Sequence, residues 1–244
     1  MSTVRGARER ARIEVTAAIK DEARKQLVAE GAAKLSLRAV ARELGMASSA
    51  LYRYFPSRDE LLTALIVDAY DSVGEAAERA HRTARAEAAT HAARWVAVTL
   101  AVREWALAHP HEYALIYGSP VPGYSAPQAT IGPASRVGLA LIAVAADAYG
   151  SDGLALRPLA GDLRAEADRM VAAFAPGIPP KAAIPLIAAW SQLFGLISFE
   201  VFGQFNGVVE TREAFFREAV TELARTVGLI DGGATPRPAE TAGP

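Results

Sequence analysis

Residues Ser36 to Arg58 read S-L-R-A-V-A-R-E-L-G-M-A-S-S-A-L-Y-R-Y-F-P-S-R. Leu37, Val40, Ala41 and Leu44 fall at i, i+3, i+4 and i+7, which lays an apolar stripe along one face of a short helix. Arg38, Arg42 and Glu43 are left on the other side. Ser36 is placed to cap that helix, and Gly45 to end it in a left-handed conformation. After a turn of about three residues a second short helix begins near Ser48, with Leu51 and Phe55 facing in. Pro56 stops it, because proline disfavours helical geometry in the residue before it. Ser57-Arg58-Asp59-Glu60 reads as a capping box opening a third helix. Two short helices across a glycine turn have too little apolar face to be a core of their own. They have the shape of a helix-turn-helix, whose second helix enters the major groove of DNA.

Glu43-Leu44-Gly45-Met46-Ala47 and then Ala50-Leu51-Tyr52-Arg53-Tyr54-Phe55-Pro56-Ser57-Arg58-Asp59-Glu60-Leu61-Leu62 resemble the DNA-binding domain of TetR-family transcriptional regulators, over about residues 8–65. The resemblance implies a set of contacts. Tyr52 and Tyr54 would reach phosphates by their hydroxyls and Arg58 by its charge, with Ser36 adding a contact from its helix start. Such contacts set register without reading sequence. Base edges would be read by Ser48, Ser49, Ala50 and Arg53, with Arg38 reaching in from the preceding helix. Arginine suits guanine O6/N7, and an alanine methyl suits a thymine methyl. Each residue also has a plainer role open to it: Tyr52 and Tyr54 as half-buried supports, Arg38 and Arg53 as solvated charges, Ser48 as a cap. The chain departs from the family pattern twice. Ala47 replaces the usual turn serine, which would pass the capping to Ser48 and move the helix start by one residue. Tyr54 replaces the usual histidine.

Charge is distributed as a DNA-binding head would require. Residues 1–60 carry 12 Lys and Arg against 8 Asp and Glu, the remainder 14 against 19, and a basic segment attracts phosphate. The absence of cysteine excludes disulfides, Cys-based zinc sites and thiol catalysis. The charged first 20 residues hold no signal-peptide core. No charge-free apolar run of about 18 residues is expected, so no membrane span is either. The chain should be soluble and cytoplasmic.

The rest of the chain reads as helices. A short basic tail (1–7) precedes a first helix from about Arg8 to Glu30. The third helix carries an apolar stripe through Leu61, Leu62, Leu65, Ile66, Ala69, Tyr70 and Val73, too long to serve the small head alone. The Ala/Arg/Glu-rich segment 74–90 should contain a helix boundary, and a domain border is set near residue 80. Helices follow at about 87–108, 134–149, 162–174, 180–203 and 210–228, with a break at His109-Pro110 and a short helix through Tyr113 to Tyr117. The four prolines and three glycines of 118–133 predict a long irregular loop. The fold class is all-α: residues 1–56 form the helix-turn-helix head, 57–80 a connector, 81–230 a ligand-binding and dimerisation domain, and 231–244 a disordered tail.

Helix 180–203 is apolar around nearly its whole circumference, as a helix buried on several sides is. The resemblance implies that it and 210–228 pair with a second subunit. Ligand-pocket candidates are Trp95, Arg103, Tyr113, Tyr117, Trp190 and Phe194, with Glu104, Gln192 and Glu200 as further polar groups, since helical pockets are mostly apolar. His109-x-His111-Glu112 is discounted as a metal site, because histidines at i, i+2 point to different faces. No acid–base pair or nucleophile stands out, so neither enzyme activity nor a cofactor is expected. The resemblance implies a homodimeric regulator, most often a repressor, that binds a palindromic DNA operator and is released by a small-molecule effector. The rival reading is a helical small-molecule-binding protein with a vestigial DNA head.

Overall fold

The computed structural model describes residues 2–229, with side chains from Gly6 onward. The expected disordered tail 231–244 lies outside the described residues. Ten α-helices follow one another: α1 (Ser2–Glu30), α2 (Leu37–Glu43), α3 (Ser48–Leu51), α4 (Arg58–Ala86), α5 (His91–Ala108), α6 (Pro110–Tyr117), α7 (Ile131–Tyr149), α8 (Arg164–Phe174), α9 (Ala183–Val201) and α10 (Arg212–Val227). Among the described residues the sole β pairing is an isolated bridge between Leu154 and Leu229. The all-α fold class stands.

The chain divides into two compact units. One comprises residues up to Gly74 with Trp105–Ser135; the other comprises Glu75–Glu104 with the residues from Arg136 on. In the first unit α1 supplies Ile19, Ala23 and Leu27, α2 supplies Leu37, Val40 and Ala41, and Leu51 and Phe55 come from the α3 region. Leu61, Leu62, Leu65 and Ile66 of α4 complete that core. Leu115, Ile116, Val121 and Tyr124 also pack on it, so α6 and the following loop belong with the head rather than with the body to which 81–230 was assigned. An ion network explains part of this attachment. Arg24 of α1 pairs with Asp68 of α4 at 2.7 Å and with Glu112 of α6 at 3.0 Å, and Lys20 also reaches Asp68.

The second unit is built from the end of α4, most of α5, and α7–α10. Trp95, Val98, Val102, Val144, Leu193, Ile197, Phe216 and Val220 are fully or almost fully buried there. Gly228 (φ 97°) ends α10, and a Cβ on it would meet the Ala155 carbonyl oxygen at 2.2 Å. Only glycine fits that contact.

Several boundaries differ from expectation. Helix α1 starts at Ser2 rather than near Arg8; the lone Gly6 costs only about 1 kcal/mol in a helix and does not end it. Helix α4 runs unbroken to Ala86, past the border set near residue 80, and Glu75–Arg79 and Glu78–Arg82 pairs at i,i+4 line that stretch. Helix α7 starts at Ile131 because Pro133 occupies its first turn, where a missing N–H costs nothing. The expected absence of a charge-free apolar run was wrong: residues 182–199 are such a run. Two helical stretches, Gln128–Tyr149 and Pro180–Val201, are long and apolar enough to cross a membrane by length and composition. The core uses those apolar faces. Leu141 and Val144 of α7 and Leu186, Leu193 and Ile197 of α9 are buried.

Candidate nucleic-acid interface

The head presents its polar residues because its apolar ones are consumed by the core. With Leu37, Val40, Ala41, Leu51 and Phe55 buried, the helical period turns Arg38, Ser48, Ser49, Tyr52 and Arg53 outward, and all five are exposed. Ala50 and Tyr54 are half-buried. Among the described residues Arg38 and Arg53 have no carboxylate within ion-pair distance, whereas neighbouring Arg42 is paired with Glu43 at 3.2 Å. Two exposed guanidiniums without a carboxylate partner give the head positive potential available to an anion.

Local capping sets the geometry. The Ser36 hydroxyl accepts from the Ala39 N–H at 3.4 Å, and Gly45 adopts φ 65° at the end of α2. The anticipated shift of the α3 cap to Ser48 does not occur. Ala47 is the N-cap in an extended conformation, its carbonyl accepts the first helical bonds, and Ser48 is the first helical residue. An N-cap needs extended backbone here more than a side-chain acceptor. Helix α3 is a single α turn that tightens after Leu51, where Arg53 and Tyr54 donate to Ala50 and Leu51. The Ser57 hydroxyl accepts from the Glu60 N–H at 3.1 Å, opening α4 as the capping pattern implied.

Arg58 is differently employed from Arg38 and Arg53. Its guanidinium donates to the carbonyls of Ala32 (2.9 Å), Ala33 (3.2 Å) and Leu35 (3.2 Å). These carbonyls belong to the turn between α1 and α2, so Arg58 holds that turn against the start of α4. Another residue was not foreseen. The Arg12 guanidinium of α1 lies over the Tyr54 ring, 5.6 Å from its centroid, and a run of arginines at helical spacing upstream was the available signal.

The chain's likeness to known proteins follows this division of labour. Residues 19–65 match the model for bacterial regulatory proteins of the tetR family, and residues 95–223 match that for the tetracyclin repressor-like C-terminal domain. The HTH-type transcriptional regulator Rv1816 of Mycobacterium tuberculosis is 42% identical over 225 residues, covering 89% of this chain and 94% of that protein. This chain belongs to the TetR family. It is a TetR-family transcriptional regulator, and residues 19–65 match the N-terminal DNA-binding domain of that family. The regulatory protein SCO4313 is structurally similar, with a TM-score of 0.73, 36% identity and coverage of 88% and 97% of the two chains. RolR, solved in complex with resorcinol, shares the fold at TM-score 0.50 and 14% identity, covering 90% of this chain and 94% of that one.

The ligand candidates of this TetR-family chain fall in different units. Trp95, Arg103, Trp190 and Phe194 lie in the second, with Glu104, Gln192 and Glu200; Tyr113 and Tyr117 lie in the first. Arg103 and Glu200 form a buried bidentate pair, with Nε and Nη2 of the arginine 2.7 and 2.6 Å from the carboxylate. Trp95 is wholly buried, and among the described residues its indole Nε1–H has no hydrogen-bond partner. Trp190 and Phe194 meet edge to face at 5.7 Å, while Glu104 and Gln192 are exposed. In the first unit Tyr117 contacts both Tyr70 and Tyr113. Burial pushes the Tyr117 hydroxyl well above the usual tyrosine range and raises that of Tyr70. His109 stacks on Trp105 at 5.2 Å with its Nδ1 2.9 Å from the Trp105 carbonyl, and His111 is exposed.

Proposed function

We propose that this regulator is a repressor that binds an inverted-repeat operator as a homodimer and leaves it when a small molecule occupies the second unit. The observation that carries the DNA half is the exposed, unneutralised Arg38 and Arg53 beside Tyr52 and Ser49. A vestigial head would have no need to keep this face charged and clear. In this reading Arg38, Arg53, Ser48, Ser49 and Ala50 meet base edges, and Ser36, Tyr52 and Tyr54 meet phosphates. Arg58 acts mainly at second hand, by holding the turn that precedes α2.

Dimerisation is supported by the second unit. Ile187, Trp190, Phe199 and Phe202 of the α9 region and Phe215 of α10 remain 40% or more exposed, apolar surface of the kind that association covers. A two-fold dimer would set two recognition helices in successive major grooves and so favour a palindromic site. The unpartnered Trp95 N–H supports an effector carrying a hydrogen-bond acceptor, and RolR, a protein of the same fold, is known with a small phenolic ligand. The effector can shift the protein off DNA only by its differential affinity for the two states. The chain works by binding rather than by catalysis, in the cytoplasm.

Selection of bound sequences from a random double-stranded DNA pool tests the proposal. An enriched inverted repeat is the expected result; enrichment of a single half-site would overturn the dimeric reading, and no enrichment at low salt would overturn operator recognition.

A further inference from the structure

The family model's match begins at residue 19, yet α1 begins at Ser2, so several turns of helix precede the matched domain. Arg8, Arg10 and Arg12 in those turns are exposed, and among the described residues none of them forms an ion pair. Arg8 and Arg12 stand one turn apart on the same face. Continued at helical spacing, that face reaches Thr16 and then Ile19 and Ala23, which are fully buried in the core of the first unit. The side of α1 that seats the helix in the head is therefore an arginine side in its first turns. Of the two carboxylates in these turns, Glu14 lies on the opposite face and Glu9 pairs with neither arginine.

The position of this face matters more than its charge. Arg12 lies over the ring of Tyr54, and Tyr54 directly follows Tyr52 and Arg53 on the exposed helix-turn-helix face. The two positive surfaces are continuous. Arg12 is exposed and the ring it covers is only half-buried, so a contact of this kind is weak and leaves the guanidinium able to meet an anion as well. A polyanion lying along Tyr52 and Arg53 is met next by Arg12 and then, one turn earlier, by Arg8.

We propose that the DNA-contacting surface continues from the helix-turn-helix onto the first turns of α1, where Arg8 and Arg12 bind backbone phosphates beyond those reached by α2 and α3. The inference rests on the DNA binding of the family. Such contacts add affinity and register without reading bases, and their signature is salt dependence, since each neutralised phosphate releases counterions.

The test is the affinity of full-length protein for a mixed-sequence double-stranded DNA, measured as a function of salt, for wild type, Arg8→Ala/Arg12→Ala and Arg8→Lys/Arg12→Lys. The alanine variant should flatten the slope of log K against log salt by about 0.9 per lost phosphate, or about 1.8 per subunit, while the lysine variant keeps most of the wild-type slope. Both changes are at exposed positions, and an unaltered circular dichroism spectrum certifies the fold. A wild-type slope in the alanine variant would overturn the proposal, as would equal flattening in the lysine variant. Failure of the wild type to bind any duplex would instead remove the DNA-binding reading on which the proposal stands.

Discussion

Removing the carboxylate of Glu200 should unfold the second unit more readily than any surface change of the same size. The Arg103 and Glu200 side chains are only 9% and 5% exposed, and they meet through two short, parallel hydrogen bonds. The Arg103 guanidinium also lies over the ring of Phe216 at 5.4 Å. In Glu200→Ala the guanidinium keeps its charge and its burial but loses the anion that offset them. Breaking one side of such a pair costs about 3–5 kcal/mol. At about 2–4 °C per kcal/mol for a chain of this size, the melting temperature should fall by about 6–20 °C. Thermal unfolding followed by far-ultraviolet circular dichroism reads this directly. The companion variant Arg103→Met/Glu200→Leu removes both charges and should recover most of the loss, because apolar side chains of similar volume replace such a pair at little cost. A loss below about 1 kcal/mol in Glu200→Ala, the value for an exposed pair, would refute the reasoning. So would a double variant no better than the single one.

Arg58→Ala should destabilise the head by about 1.5–3 kcal/mol, the range for hydrogen bonds involving a charged group, and lower affinity for DNA. Its salt slope should stay close to that of wild type; a drop of about 0.9 would return Arg58 to the phosphate contacts. Arg53→Ala should weaken operator binding by about 1–3 kcal/mol and relax preference at one base position, and equal losses on operator and random DNA would refute base reading. Stability should also fall as the solution is acidified. Burial, aided by the nearby charge of Arg94, holds His81 below its usual 6.5, so the unfolded chain takes up this proton first as pH drops through that value. His81→Gln should therefore flatten the stability profile below pH 6.5, and an unchanged profile would remove His81 as its source. The Asp147 carboxyl responds at lower pH. Burial alone would raise it, but the Arg94 hydrogen bond and the Arg94 and Arg85 charges bring it below its usual value.

The helix-turn-helix was readable because its signals are local. A cap at Ser36, a left-handed glycine at Gly45 and a stop at Pro56 act within a few residues of themselves, and the apolar period turns Arg38 and Arg53 outward with no help from the rest of the chain. Contacts between distant residues left no such trace. Besides the adjacent Asp59 carboxylate, Arg58 finds its partners 23 to 26 residues back, and these are backbone carbonyls, which no side-chain pattern marks. Arg103 and Glu200 are 97 residues apart. Each could be suspected of lining a pocket, but nothing in either helix says that they neutralise each other. The attachment of α6 to the head was hidden likewise, since Arg24 and Glu112 are 88 residues apart. The reading of 182–199 failed because Lys181 and Glu200 stand just outside an 18-residue stretch that carries no charge, one part of which the core buries while Ile187, Trp190 and Phe199 stay exposed.

The bonds of Arg58 have a consequence for how this domain can change over generations. Every residue has a carbonyl, so the exposed side chains of the turn, at Ala33 and Lys34, can drift without disturbing what Arg58 grips. Position 58 has no such latitude. A guanidinium offers a fork of five N–H donors, and lysine, with three on a single ammonium, cannot span the same set of acceptors. Substitutions should accumulate freely in the turn and stall at the arginine, an asymmetry between two partners in one contact that comes from only one of them being a side chain.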